Sequence, residues 1–194
     1  MAKKVLIIDA GIKFIFAGGT LNHTYANRAA ELFTGAGWEV DVTRLEDESW
    51  KTEDEVKKLA AADLVFVQTP AWWMGPPWQF KKWMDEVFTN SDFGDDGRTH
   101  TAPELNYGRG GNYRGHFLIS QTWNAPLNAF VDPKEFFEGK GVDAVLYPVR
   151  KAFEFIGLTG LETFMANDVI KNPTFDSDME RFEAYVRGVI ETLA

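Results

Sequence analysis

Apolar residues along this chain follow two alternating patterns. Five short apolar or alternating segments predict β-strands, at residues 4–9, 38–45, 63–68, 115–123 and 160–165. Between and after them, apolar positions spaced three or four residues apart predict five helices. The first starts at Thr20, the second covers 53–62, the third ends near Thr89, the fourth covers 142–156, and the apolar face of the last starts at residue 179. Pro148 predicts a kink or a start within the helix at 142–156. The first and third strands are almost wholly apolar, which is typical of parallel strands buried on both faces.

This alternation of strands and helices predicts an α/β fold with a doubly wound, five-stranded parallel sheet and helices on both faces. We expect residues 1–194 to form a single domain, because no linker or repeat divides the chain. Periodicity leaves the strand order open. If the order is 2-1-3-4-5, the loops at 10–20, 69–78 and 122–130 converge at the switch point, where such sheets bind ligands.

The loop at 69–78 contains Trp72, Trp73 and Met74 between restricting proline and glycine residues. These three side chains are costly to expose and awkward to bury together. We therefore interpret them as a platform for a planar aromatic cofactor, although aromatic residues at the ends of elements more often belong to the core.

Two further segments supply polar groups. Gly18-Gly19-Thr20-Leu21-Asn22 lies between a strand and a helix and predicts a phosphate cradle of backbone N–H groups, helped by the hydroxyls of Thr20 and Thr24. An ordinary tight turn with a threonine cap is an equal alternative. Thr122-Trp123-Asn124-Ala125 ends the fourth strand and offers a hydroxyl, an indole and an amide, unless it is only a strand end with an asparagine turn.

The composition of the chain excludes several kinds of ligand and chemistry. The chain has a net charge of −9, which argues against general binding to nucleic acids or anionic membranes. It has no cysteine, so disulfides, thiolate catalysis and cysteine-ligated metals are excluded, and redox chemistry requires an organic cofactor or a metal held without sulfur. We expect a cytoplasmic protein without a membrane span, since no apolar run reaches about 20 residues and no signal peptide is evident.

The chain lacks the residues that several other enzyme classes require. The three histidines have no metal-site spacing, no serine lies in a G-x-S-x-G elbow, and the acidic stretch at 92–96 lacks the glutamate that a calcium loop needs. We predict no metal site. The long polar loop at 90–114 holds Tyr107 and Arg109, with Arg98 and Arg114 on either side. These arginines could receive the phosphates of a nicotinamide nucleotide, or the loop could be a solvated surface.

The chain resembles the modulator of drug activity B family, flavodoxin-like NAD(P)H:quinone oxidoreductases related to DT-diaphorase. The segments that carry the resemblance extend over nearly the whole length: Val5 to Asp9 with Lys13-Phe14, Gly19 to Asn22, Pro70 to Trp78, Asp96 to Thr99, Tyr107-Gly108, Thr122 to Pro126, and Phe164 to Lys171 with Pro173. The Trp-Trp-Met-Gly and Thr-Trp-Asn-Ala-Pro stretches are the most distinctive of these.

This resemblance implies a flavodoxin-like sheet of order 2-1-3-4-5 and a homodimer with the active site at the subunit interface. It implies FAD, with FMN as the lesser candidate, and NAD(P)H as co-substrate. The implied cofactor-binding residues are Ala17, Gly18, Gly19, Thr20, Leu21, Asn22, His23, Thr24, Pro70, Ala71, Trp72, Trp73, Met74, Gly75, Tyr107, Thr122, Trp123, Asn124 and Ala125.

The implied reaction is a ping-pong transfer of two electrons, as hydride, from NAD(P)H through the flavin N5 to a quinone or similar acceptor. We expect Tyr107 to donate a hydrogen bond to the quinone or to the flavin. The alternative is a non-catalytic flavodoxin-like protein, either an electron carrier or a regulatory subunit that binds flavin or nucleotide.

Overall fold

The computed structural model describes residues 2–15 and 17–194. The strands are β1 (Lys4–Asp9), β2 (Glu39–Arg44), β3 (Leu64–Pro70), β4 (His116–Thr122), β5 (Thr159–Gly160) and β6 (Phe164–Ala166). The helices are α1 (Thr20–Gly35), α2 (Thr52–Ala61), α3 (Trp78–Thr89), α4 (Asn128–Val131), α5 (Gly141–Val145), α6 (Tyr147–Phe155) and α7 (Phe175–Leu193).

The sheet is parallel and has the order β2-β1-β3-β4-β5, with β6 also paired to β4. The expected order 2-1-3-4-5 is therefore confirmed. Asp9 lies opposite Gln68, and Pro70 lies opposite Thr122, so β1, β3 and β4 end at the same edge. The strand order reverses between β1 and β3, which makes this edge the switch point.

The fifth strand differs from its prediction as one segment at 160–165, because it is divided into β5 and β6. The residues between them leave the regular ladder. Arg150 of α6 donates from Nη1 to the Leu161 carbonyl at 3.1 Å and to Thr163 Oγ1 at 3.0 Å. Helix α6, which precedes β5 in the chain, thus contacts the residues between the two strands.

Each face of the sheet is covered by helices. Leu64 and Phe66 of β3 pack with α1 and α7, whereas Val65 and Val67 point to the other face, which packs with α2, α3 and α6. β3 is buried along nearly its whole length, as its apolar sequence predicts. No helix in the described part of the chain is long and apolar enough to cross a membrane.

The helical segment predicted at 142–156 is two helices. Pro148 lies at the start of α6, where its missing N–H group costs no hydrogen bond. The loop at 90–114 contains turns rather than regular elements in the described structure. It is tied down at both ends, since Asn112 N donates to the Phe93 carbonyl at 3.1 Å and Tyr113 N to the Ile156 carbonyl at 3.0 Å.

Candidate functional site

The three loops of the switch point lie together at the carboxyl edge of the sheet. The rings of Phe14 and Trp72 are 4.7 Å apart, which joins the loop after β1 to the loop after β3. The Ala71 N–H donates to the Thr122 carbonyl at 2.9 Å and joins the loop after β3 to the end of β4. The structure therefore brings together the three segments that the sequence singled out.

Helix α1 starts at this edge with its first turn open to an anion. Its N-cap is Gly19, at φ 75°, and among the described residues no side chain caps it and no acidic residue lies in its first turn. A Cβ atom on Gly19 would lie 3.0 Å from Ile12 N and 3.1 Å from the Gly11 carbonyl carbon. Such a glycine turn without a side-chain cap fits a phosphate, which the helix dipole attracts.

The hydroxyls of the cradle have different orientations. The Thr20 side chain is exposed at the helix start. Thr24 Oγ1 donates to the Thr20 carbonyl at 3.0 Å, so its proton is directed to the helix backbone. Gly18 is exposed, and Ala17 and Leu21 are half-buried. Of the two hydroxyls, that of Thr20 is the one available to donate to a phosphate.

The His23 side chain is held by two carboxylates. Its Nδ1 lies 2.7 Å from Asp9 Oδ2, and its Nε2 lies 3.4 Å from Glu46 Oε2. Asp9 is fully buried and also accepts the Gly11 N–H at 2.9 Å. His23 therefore ties the start of α1 to the end of β1 and to the loop after β2. Sequence reasoning missed Asp9, although a charged residue that ends an apolar strand was a usable signal.

Asn22 is buried and joins three elements through its side-chain amide. Its Oδ1 accepts Gln68 Nε2 at 2.8 Å, and its Nδ2 donates to Thr122 Oγ1 at 3.1 Å. Asn22 is 4% exposed, Thr122 is 5% exposed and Gln68 is fully buried. Gln68 was also missed from the sequence. We call these three residues the Asn22 clamp.

The platform residues form a tight turn after β3. Trp72 N donates to the Gly75 carbonyl at 2.7 Å, and Gly75 N donates back to the Trp72 carbonyl at 3.1 Å. Trp73 and Met74 have φ angles of 45° and 70°, as in a type I′ turn, which normally takes Asn-Gly. Trp73 is 97% exposed. Bulky residues held in this conformation indicate a constrained functional turn.

The turn leaves its central amides available. Among the described residues, the N–H groups of Trp73 and Met74 have no hydrogen-bond partner, while those of Ala71, Trp72 and Gly75 are occupied. Pro70, which precedes them, is half-buried. The turn can therefore donate two backbone hydrogen bonds to a bound ring.

At the end of β4, the Trp123 indole is directed inward. Trp123 is 4% exposed, its ring lies 4.9 Å from that of Phe130, and its Nε1 donates to Gln121 Oε1 at 2.8 Å. Its backbone N–H donates to the Ala166 carbonyl at 2.8 Å. In the described part of the chain, the free amides of this segment are those of Asn124 and Ala125.

Tyr107 is placed by contacts within its own loop and with α6. Its ring lies 5.7 Å from that of Phe155 and 5.6 Å from the Arg98 guanidinium carbon, and it is 70% exposed. The Arg98 backbone N–H and guanidinium hold the pKa of Asp96 below its usual value. Arg98 is therefore neutralised by an ionised Asp96.

The basic residues of the long loop do not form one group. Arg114 lines a cleft of about 290 Å³ with Lys3 and Trp38, at the amino end of the sheet and opposite the switch point. Arg109 is exposed on the loop surface. Across residues 2–15 and 17–194, no group of three or more histidine or acidic side chains is placed to hold a metal ion.

Comparisons with known proteins agree with this fold. Residues 3–188 match the family described as Flavodoxin-like fold. The chain is 40% identical over 189 residues to the NADPH:quinone oxidoreductase MdaB of Haemophilus influenzae. The aligned residues cover 95% of this chain and 98% of that protein.

Solved structures share the fold. The NAD(P)H:quinone oxidoreductase of Methanothermobacter marburgensis has a TM-score of 0.69 at 15% identity, with coverage of 100% of this chain and 98% of the other. An FMN-dependent NADH-azoreductase of Bacillus anthracis, in complex with FMN, has a TM-score of 0.67 at 11% identity, with full coverage of both chains.

Proposed function

The chain belongs to the flavodoxin-like fold family and, within it, to the modulator of drug activity B proteins, and from this premise we propose that it is a flavin-dependent NAD(P)H:quinone oxidoreductase. The observation that carries the proposal is the meeting of an uncapped helix start with a turn that presents free amides and an exposed indole. This arrangement suits a ligand with a phosphate at one end and a flat ring at the other.

The flavin is FAD, held by residues 17–24, 70–75 and 122–125, which are the family's matching segments. When bound, it supplies the chemistry of accepting a hydride and passing on two electrons. The first turn of α1 binds phosphate through backbone N–H groups and the Thr20 hydroxyl. The N–H groups of Trp73, Met74, Asn124 and Ala125 stabilise negative charge on the ring.

NAD(P)H and the quinone bind in turn at one position beside the Trp73 turn, which gives ping-pong kinetics. A homodimer completes this position. The support for a second subunit is a group of exposed apolar side chains around the switch point, since monomeric proteins seldom leave such a cluster uncovered. Its members are Phe14, Ile15, Trp73, Met74 and Trp78.

The test is to release the chromophore of the purified protein, identify it, and measure quinone reduction with NADPH and with NADH. We expect FAD, turnover with a simple quinone, and parallel lines in double-reciprocal plots. FMN in place of FAD would overturn the cofactor assignment. Bound flavin without quinone turnover would instead favour an electron carrier or a regulatory subunit.

Replacing Trp73 with alanine should raise the dissociation constant of the flavin roughly tenfold, since covering about 60 Å² of indole contributes about 1.5 kcal/mol. Alanine keeps the unfavourable φ of the turn, so the backbone change is small. Fluorescence titration of the apoprotein measures the effect. Phe136→Ala, which removes another exposed aromatic ring, is the control. Equal affinities in the two variants would remove Trp73 from the site.

Replacing Tyr107 with phenylalanine should lower turnover about three- to tenfold, because one hydrogen bond contributes roughly 0.5–1.5 kcal/mol. Flavin content should not change, since the Tyr107 ring keeps its contact with Phe155. Steady-state kinetics measure the change. Tyr147→Phe, at another exposed tyrosine, serves as the comparison. If Tyr107→Phe is as active as that control, the hydroxyl has no part in the reaction.

A further inference from the structure

The side-chain amide of Asn22 connects the start of α1 to the ends of two strands. Asn22 lies in the first turn of α1, Gln68 is near the end of β3, and Thr122 is the last residue of β4. The two hydrogen bonds of the clamp measure 2.8 and 3.1 Å. All three side chains are almost fully buried, so water does not compete for these bonds.

The clamp lies beneath all three loops of the switch point. The Gln68 carbonyl accepts the Ala10 N–H at 2.9 Å, at the base of the first loop. The Thr122 carbonyl accepts the Ala71 N–H at 2.9 Å, at the base of the second loop, and Thr122 itself begins the third. A shift at Asn22 therefore changes the position of the phosphate end of the site relative to its ring end.

The clamp is not arranged for the best apoprotein stability. Among the described residues, Gln68 Oε1 has no hydrogen-bond partner although Gln68 is fully buried. A buried acceptor without a donor destabilises a fold. The Gln68 amide bears this cost while it directs its N–H at Asn22, as expected of a network kept for the site's geometry.

We propose that Asn22 is a positioning residue that sets the distance between the phosphate-binding start of α1 and the ring-binding loops, and thereby sets flavin affinity. Its side chain acts from below the site and leaves the cofactor contacts to the backbone. Binding sites lose affinity when supporting residues let their parts move by about 1 Å. This inference rests on the proposed function, because it requires that the site bind flavin.

The test is a double-mutant cycle with Asn22→Ala and Thr122→Val, read out as the flavin dissociation constant of the apoprotein. Thr122→Val should raise that constant about tenfold, the effect of losing one buried hydrogen bond, and Asn22→Ala, which loses two, should raise it further. The double variant should be about as weak as the weaker single variant, since both changes break the same bond. Thr122→Ser keeps the hydroxyl and should lose less affinity than Thr122→Val.

The control is Thr43→Val, which breaks a buried hydrogen bond of 2.7 Å to Glu55 on the other side of the sheet. It should lower apoprotein stability in urea and leave flavin affinity unchanged. If Thr43→Val weakens flavin as much as Asn22→Ala does, the clamp acts through stability and the proposal fails. It also fails if the cycle is additive. If Asn22→Ala does not fold, the flavin dissociation constants of Thr122→Val and Thr43→Val are compared, and equal values overturn the proposal.

The two proposals fail in different ways. A wild-type apoprotein that binds neither FAD nor FMN overturns the proposed function and, with it, the role of Asn22. A wild-type protein that binds flavin, with an Asn22→Ala variant of equal affinity, overturns the positioning role alone.

Discussion

Replacing Gly19 with alanine should raise the dissociation constant of the flavin by roughly one to two orders of magnitude, because the new Cβ displaces the phosphate-binding turn and a misplacement of about 1 Å can cost about a hundredfold. That Cβ would lie 3.0 Å from Ile12 N and would displace the first loop from the start of α1. The purified variant should therefore lose its yellow colour, and titration of its apoprotein with flavin gives the constant.

Gly37→Ala is the matched control. Gly37 has φ 82°, close to the 75° of Gly19, but a Cβ atom on Gly37 would meet no atom of the described residues within 4 Å. It follows the other end of α1, roughly 24 Å away at 1.5 Å per residue. Gly37→Ala should lower stability by a similar backbone penalty and leave flavin affinity unchanged. If Gly19→Ala binds flavin as tightly as this control, the start of α1 is not the phosphate site.

Much of the fold could be predicted because parallel strands buried on both faces must be apolar. Val5 to Ile8 and Leu64 to Val67 carry that pattern, and the structure has strands there. Strand order was not encoded in periodicity and followed only from the resemblance. The break between β5 and β6 was not predictable from periodicity, and the contact that Arg150 makes there with the Leu161 carbonyl exists only in the folded protein.

The sequence predicted the position of the turn at Trp73 and Met74 but not its backbone conformation. Its proline and glycine neighbours indicated a turn after β3. Positive φ angles at two bulky residues contradict local preference, so the surrounding structure must impose them. The sequence also could not show which amides the turn leaves free, since these depend on the pairing of Trp72 with Gly75.

The parts of the site that the sequence missed are its buried supports. Asp9 ends β1 and Gln68 lies near the end of β3, and each holds a residue of α1 by a side-chain hydrogen bond. The sequence instead suggested the Trp123 indole as a group of the site, but this indole is buried against Phe130. A polar residue at the end of a buried strand was thus the more useful signal.

Replacing Glu55 with leucine should lower the free energy of unfolding by about 3–5 kcal/mol, the usual cost of removing one partner from a buried ionic network. Glu55 is 1% exposed. Its Oε2 accepts Thr43 Oγ1 at 2.7 Å and Trp83 Nε1 at 2.9 Å, and its Oε1 accepts Lys58 Nζ at 2.6 Å. Leucine leaves the Thr43 hydroxyl and the Trp83 indole without their acceptor, whereas Lys58 Nζ keeps its contact with Thr43 Oγ1 at 3.0 Å. Urea unfolding of the apoprotein measures the loss.

Two further variants show whether Glu55→Leu lowers stability through the unpaired donors or through the loss of a negative charge. Glu53→Leu removes an exposed carboxylate from the first turn of the same helix and should cost only about 0.5 kcal/mol. Combining Glu55→Leu with Thr43→Val and Trp83→Phe removes both unpaired donors and should recover part of the stability, because the penalty arises from buried donors without acceptors. If the triple variant is less stable than Glu55→Leu alone, the penalty of Glu55→Leu does not arise from the unpaired donors.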